Sequence, residues 1–173
     1  PVAENAKALS FLPVCHVFER MILYLYQYIG VSVYFAESLE TVGDDIRDVK
    51  PNLFTAVPRL IEKVYAKIIA KGEELTGVKK ALFFWAVKLG QEWDIDKGAI
   101  YNIKLKIARK LIFSKWQEAL GGNIDVIVSG SAALESSLMR VFYAADMPIY
   151  EGYGLTETSP VVSVISEFND GVR

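Results

Sequence analysis

Residues 150–158 read YEGYGLTET, and they stand between the apolar runs 147–150 (MPIY) and 161–165 (VVSVI). A short apolar run that ends in glycines and then resumes marks a strand, a loop and another strand. Gly152 and Gly154 flank Tyr153. Glycine lets backbone approach a ligand closely, and a tyrosine held between two glycines can present its ring face to a flat base. Thr156 offers a hydroxyl to a phosphate oxygen. Glu157 offers a hard carboxylate, which suits Mg²⁺. In a regular strand residues 156 and 157 would point to opposite faces, so both serve one ligand only if this segment is a loop. From the residues alone, a glycine-rich turn between two strands accounts for the stretch equally well.

Working outward, short apolar runs alternate with helical stretches, which predicts parallel βαβ units. Residues 8–12 (ALSFL) read as a strand stopped by Pro13, 18–28 as a helix ended by Gly30, and 31–36 as the next strand. Residues 39–49 form a polar, mostly helical connection halted before Pro51. A strand follows at 53–57 (LFTAV). Pro58 then suits the first turn of a helix whose core stripe is Leu60, Ile61, Val64 and Ile68. Arg59, Glu62 and Lys63 read as its solvated charges. Residues 75–120 keep a helical period with no strand, and Gly121-Gly122 closes them. Residues 124–128 (IDVIV) read as a buried strand. Residues 135–145 read as a helix with Glu135 in its first turn, where the helix dipole favours an acid. The expected fold is therefore α/β, a mostly parallel sheet of about six strands with flanking helices. In such sheets ligands bind outside the carboxyl ends of the strands. Three segments follow directly on strands: PVCH after Leu12, GSAAL after Val128, and GYGLTET after Tyr150.

Composition narrows the partners. A chain of 173 residues, 52% apolar and 23% charged, is globular and the size of one domain. Its mean hydropathy of +0.25 leans toward the inside of something larger. A net charge of -2 gives no bulk electrostatic case for nucleic acid. Cys15 is the only cysteine, so no internal disulfide forms, and the chain reads as intracellular and cytoplasmic. The start PVAENAKALS lacks a signal-peptide pattern and an initiator Met; with the end NDGVR, this reads as a segment excised from a longer protein. The uncharged run 21–36 falls short of the roughly 20 residues a spanning helix needs, and reads as a buried helix then a strand.

YEGYGLTET closely resembles a core motif of the adenylate-forming superfamily, which contains acyl-CoA synthetases, luciferases and peptide-synthetase adenylation domains. The resemblance implies that Tyr153 stacks on adenine, that Thr156 contacts the α-phosphate, and that Glu157 helps to bind Mg²⁺, with Glu151, Gly152 and Gly154 in the nucleotide site. SFLPVCHVFERM (10–21) resembles the LPxxHxFE motif of long-chain acyl-CoA synthetases, which places His16 near the acyl-binding region. Without the resemblance, a lone histidine beside Val14, Val17 and Phe18 is more often a core residue. VSGSAAL (128–134) is similar to the loop whose backbone lies against adenine and acyl chain, so Gly130, Ser131 and Ala132 enter the site, with Gly130, Ala132 and Gly154 also lining the acyl path. KPNLFTAVPRLIEKVY (50–65) has the look of the same fatty acyl branch. The resemblance fades over about 71–120, which reads as a helical insertion.

The family's Ser/Thr/Gly-rich phosphate loop is absent, as are the later aspartate that binds ribose and the C-terminal domain with its catalytic lysine. GEELTGVK (72–79) lacks the Gly-Lys-Ser/Thr ending of a phosphate loop. The implied identity is a partial AMP-binding domain of an AMP-forming long-chain fatty acyl-CoA synthetase. ATP/AMP, Mg²⁺, coenzyme A and a fatty acid are its implied ligands, and the segment by itself is expected to be inactive. Another adenylating enzyme, for medium-chain or amino acids, and a non-catalytic nucleotide-binding α/β module remain the alternatives.

A fatty acid substrate implies peripheral membrane contact. Residues 98–117 carry Lys104, Lys106, Arg109, Lys110 and Lys115 and no acid. On a helical wheel Lys104 and Lys115 fall on one side and Lys106, Arg109 and Lys110 roughly opposite, with the apolar residues in two arcs between them. An interfacial helix shows one apolar and one basic face, so this stretch is expected to be packed on two sides or bent.

Overall fold

The computed structural model describes residues 5–38 and 40–165. Leu39, the first residue of the expected polar connection, and both terminal stretches lie outside the described residues. Among the described residues six strands form: β1 Lys7–Ser10, β2 Ser32–Phe35, β3 Leu53–Ala56, β4 Val126–Ser129, β5 Ile149–Gly154 and β6 Val161–Ile165. Their order across the sheet is β2-β1-β3-β4-β5-β6. The first five run parallel, and β6 pairs antiparallel with β5. The sheet is thus mostly parallel, as the alternation of apolar runs predicts. Its outer strands are β2, where Phe35 is 64% exposed, and β6, where Val162 is 61% exposed.

Among the described residues seven α-helices connect the strands: α1 Val17–Tyr28, α2 Val42–Val49, α3 Pro58–Glu73, α4 Gly77–Gln91, α5 Ala99–Ala108, α6 Ser114–Ala119 and α7 Ser136–Ala144. A π-helical turn, Arg109–Phe113, joins α5 to α6. The wider 3.6-residue period of the sequence thus holds through the long stretch between β3 and β4, and no strand interrupts it. Pro58 opens α3 at a position where its missing N–H costs nothing.

The sheet separates two apolar cores. On one face α1 lays Phe18, Ile22 and Tyr26 over Ala8 and Val31; their i, i+4, i+8 spacing is one helical stripe. On the other face the remaining helices pack around Phe113, Trp116, Phe142, Met139 and Ile127. Trp116 meets Phe113 edge-on at 5.1 Å, and Trp93 stacks on Tyr143 at 5.0 Å. Each fully buried side chain of this size contributes about 1.5–3 kcal/mol.

Several boundaries differ from expectation. β1 ends at Ser10, short of Leu12, and β4 starts at Val126 because Asn52 O accepts from the N–H groups of Asp125 and Val126 (2.8 and 3.1 Å). Glu135 is the N-cap of α7, outside the first turn, and its carboxylate accepts from the Ser137 hydroxyl. β5 runs on through the glycines to Gly154, so β5 and β6 form a hairpin with no α-helix between them.

Candidate nucleotide and acyl site

The parallel strands bring the three strand-end segments to one edge of the sheet. β1, β3, β4 and β5 are successive neighbours, with Thr55 level with Val128, Ala56 with Ser129, and Ser129 with Glu151. The loop carrying His16 therefore leaves the same edge as GSAAL and the end of YEGYG.

Phe18 holds these segments together. Its ring lies under Gly130, where an added Cβ would stand 3.0 Å from Phe18 Cζ, and it reaches Gly152, where the same test gives 4.0 Å to Phe18 Cε2. The ring is buried at 6% exposure. Next to it, Glu19 is fully buried on the same side of α1. Its carboxylate accepts from Ser10 Oγ (2.5 Å) and Thr55 Oγ1 (2.7 Å), which ties α1 to the ends of β1 and β3. Two turns further along α1, burial and then the charge of Glu19 push the Tyr26 phenol well above its ordinary value. Ser129 Oγ and Tyr26 OH are buried without a hydrogen-bond partner among the described residues.

His16 caps α1. Its Nδ1 accepts from the Phe18 N–H at 3.3 Å, and the side chain is exposed at the sheet edge. With Nδ1 as acceptor, the ring proton of neutral His16 sits on Nε2. Glu151 serves the loop after β4: its Oε1 accepts from the Leu134 N–H at 3.0 Å. Ser131, at the bend of that loop, has φ +74, and Ser131 and Ala132 are exposed beside buried Gly130.

Tyr153 is 64% exposed on β5. Gly154 is required by the hairpin itself: a Cβ there would stand 1.6 Å from Pro160 O. After it the chain forms a 3-10 turn, Thr156–Thr158. Thr158 Oγ1 accepts from the Leu155 N–H at 2.9 Å and lies 2.9 Å from the carbonyl of Pro160. Thr156 and Glu157 thus occupy a turn rather than a strand, and both side chains are exposed. The chemistry on this edge is an exposed aromatic face, a hydroxyl donor, a carboxylate and small residues beside them.

The Glu157 carboxylate is a hard oxygen ligand of the kind Mg²⁺ takes together with substrate phosphates. No group of three or more His, Cys, Asp or Glu that could hold a metal occurs among the described residues. GEELTGVK contributes nothing to this edge: it is the end of α3, a turn and the start of α4, with Gly72 packed on the Phe83 ring. Arg59 and Glu62 pair with each other at 3.2 Å on the surface. Among the described residues no helix is long and apolar enough to cross a membrane.

The family model for AMP-binding enzymes matches residues 1–173. The chain belongs to the AMP-binding enzyme family. Among curated members, it is 37% identical over 154 residues to long chain acyl-CoA synthetase 3 of Arabidopsis thaliana, covering 87% of this chain and 23% of that protein. It is 34% identical over 172 residues to the long-chain-fatty-acid–CoA ligase FadD15 of Mycobacterium bovis, covering 96% of this chain and 28% of that protein. The chain therefore spans about a quarter of the length of these AMP-binding enzymes. Solved structures share the fold at low identity. The adenylation domain of a carboxylate reductase from Mycobacterium chelonae aligns with TM-score 0.61 at 21% identity, over 94% of this chain and 23% of that one. The N-terminal domain of FACL13 from Mycobacterium tuberculosis aligns with TM-score 0.56 at 16% identity, over 94% of this chain and 31% of that one.

Phe18 and Glu19 went unassigned in the sequence reading. The signal was present: Glu19 lies on the same helical stripe as Ile22, Leu23 and Tyr26, and an acid on an apolar stripe needs buried partners.

Proposed function

We propose that this chain is the central nucleotide- and acyl-binding segment of an AMP-forming long-chain fatty acid–CoA ligase. The observation that carries the reading is the gathering of the LPVCHVFE, GSAAL and YEGYG segments at one sheet edge around the Phe18 ring. The names of the curated relatives supply the fatty acyl substrate class.

In this reading the exposed ring of Tyr153 stacks on adenine, with the backbone of Gly130, Ser131 and Ala132 on one side and Glu151 and Gly152 on the other. Thr156 donates its hydroxyl to the α-phosphate. Glu157 would hold Mg²⁺, whose charge would neutralise the phosphate oxygens. His16, Gly130, Ala132 and Gly154 line the acyl path. A fatty carboxylate, already ionised at neutral pH, attacks the α-phosphorus of ATP, and pyrophosphate leaves. The thiol of coenzyme A then attacks the acyl carbon and AMP leaves with the bonding electrons. The residues here position and neutralise; none has to take a proton in the first step. Neither half-reaction is expected of the segment alone. The parent would act in the cytoplasm or at a membrane surface.

The test is fatty-acid-dependent ATP–pyrophosphate exchange by the full-length protein that carries this segment. Glu157→Ala is expected to slow exchange by about a hundredfold, the size of one lost electrostatic contact to the reacting phosphates. Exchange at the unmodified rate in the variant removes Glu157 from the metal role, and exchange with amino acids in place of fatty acids overturns the substrate class.

A further inference from the structure

Residues 98–117 are expected to be packed on two sides or bent; a π-helical turn at Arg109–Phe113 interrupts them, and among the described residues only one side of α5 is packed. Leu105, Ala108 and Ile112 are buried against the helical core. The second apolar arc faces outward: Ile100 is 74% exposed, Ile103 61%, Ile107 47% and Leu111 43%. These four lie along one line of the helix for about 16 Å at 1.5 Å per residue. Isolated apolar side chains on a surface need no explanation, whereas a continuous stripe does.

What flanks the stripe identifies its partner. Lys104 borders it on one side, and Lys106 and Lys110 border it on the other. All three are exposed and enter no ion pair among the described residues. No acid occurs between residues 98 and 117. Lysine stems lie along apolar surface while their ammonium groups reach outward, so a stripe rimmed by lysines meets apolar material in its centre and negative charge at its margins. An anionic lipid surface has that profile, with acyl chains beneath a plane of phosphates. The helix is held as a rigid platform for such a contact. Arg109 Nε donates to Ala144 O at 2.8 Å and its NH2 pairs with Asp146 at 2.7 Å, and Tyr101 OH donates to Leu89 O at 2.7 Å.

We infer that the outer face of α5, centred on Ile103 and Ile107 and rimmed by Lys104, Lys106 and Lys110, is a docking surface for anionic membranes. The helix lies in the plane of the interface with its stripe among the headgroups. This surface is separate from the residues that carry the proposed function, and the contact needs no nucleotide or fatty acid, so it stands or falls on its own.

The test is flotation of the full-length protein with phosphatidylcholine vesicles, with and without phosphatidylglycerol, in the absence of ATP and fatty acid. Flotation is expected only with the anionic vesicles, falling as salt rises. Lys104→Gln with Lys110→Gln is expected to weaken it about fivefold per lysine. Ile103→Ser with Ile107→Ser is expected to weaken it by at least about tenfold. Light scattering on the same samples reports whether the face seats a second copy instead. Binding by both double variants at the unmodified level overturns the inference. So does absence of flotation by the unmodified protein, or a dimer that the isoleucine variant dissociates. The lysine pair, fully solvated, keeps the test valid if the isoleucine variant fails to fold.

Discussion

Glu19→Ala should loosen α1 from the sheet. The carboxylate accepts from Ser10 and Thr55 and is fully buried. Two hydrogen bonds to a charged acceptor contribute about 3–6 kcal/mol together, and alanine leaves both hydroxyls buried without a partner. Glu19→Gln keeps the volume, one carbonyl acceptor and an amide donor, so its cost is about 1–2 kcal/mol. At about 2–4 °C per kcal/mol for a domain of this size, Glu19→Ala lowers Tm by roughly 6–24 °C and Glu19→Gln by roughly 2–8 °C. Ser10→Ala combined with Thr55→Ala removes both donors and leaves the carboxylate unpaired, at a cost of about 3–5 kcal/mol. Adding Glu19→Ala to that pair should then cost less than it does alone. The assay is thermal unfolding of the four variants and the unmodified protein, followed by near-ultraviolet circular dichroism. A Glu19→Ala protein that melts within about 1 °C of the unmodified one, or equal losses for Ala and Gln, would show that these two hydrogen bonds do not hold α1 to the sheet.

Gly130→Ala places a methyl about 3.0 Å from the Phe18 ring, an overpacking that costs about 1–3 kcal/mol. Shortening the ring with Phe18→Leu should recover part of the lost pyrophosphate exchange in the double variant, and strictly additive losses in a double-mutant cycle would show that the two residues do not touch. Tyr101 is pushed up to about 12, first by burial and then by Glu92 and Asp94, against the opposing charge of Arg109. A phenol whose value rises from 10 on folding stabilises the fold below pH 10 and loses that contribution as pH rises toward 12. Tyr101→Phe should therefore flatten the alkaline stability profile between those limits, and an unchanged profile by denaturant titration would count against it.

The strands were legible because each is a short apolar run bounded by a glycine, a proline or polar residues. Leu53–Ala56 and Val126–Ser129 fall within one or two residues of their expected places. The glycine motif could be marked as a candidate site and as a turn between two strands, but its residues do not show that β5 continues through the glycines or that β6 pairs antiparallel with it. Its second strand turns back because Gly154 admits the Pro160 backbone, a contact between residues six apart that no local pattern reports. Tyr153, Thr156 and Glu157 could be proposed as site residues because the chemistry of their side chains is local to the motif. The support beneath them could not, since Phe18 meets Gly130 and Gly152 only once α1 folds over β1. The wheel for residues 98–117 gave both apolar arcs correctly, and only the packing of α5 distinguishes the covered arc from the open one.

The two outer strands set conditions for handling this segment. β2 carries Tyr34 and Phe35, and β6 carries Val162 and Val164, all exposed at the margins of the sheet. Strand edges with apolar side chains are templates on which another chain can add its own strand. A segment expressed without the rest of its parent would present two such templates at opposite ends. Self-association through β2 and β6 would then compete with folding at high concentration, and charged substitutions at Phe35 and Val162 are the place to begin in making the piece tractable.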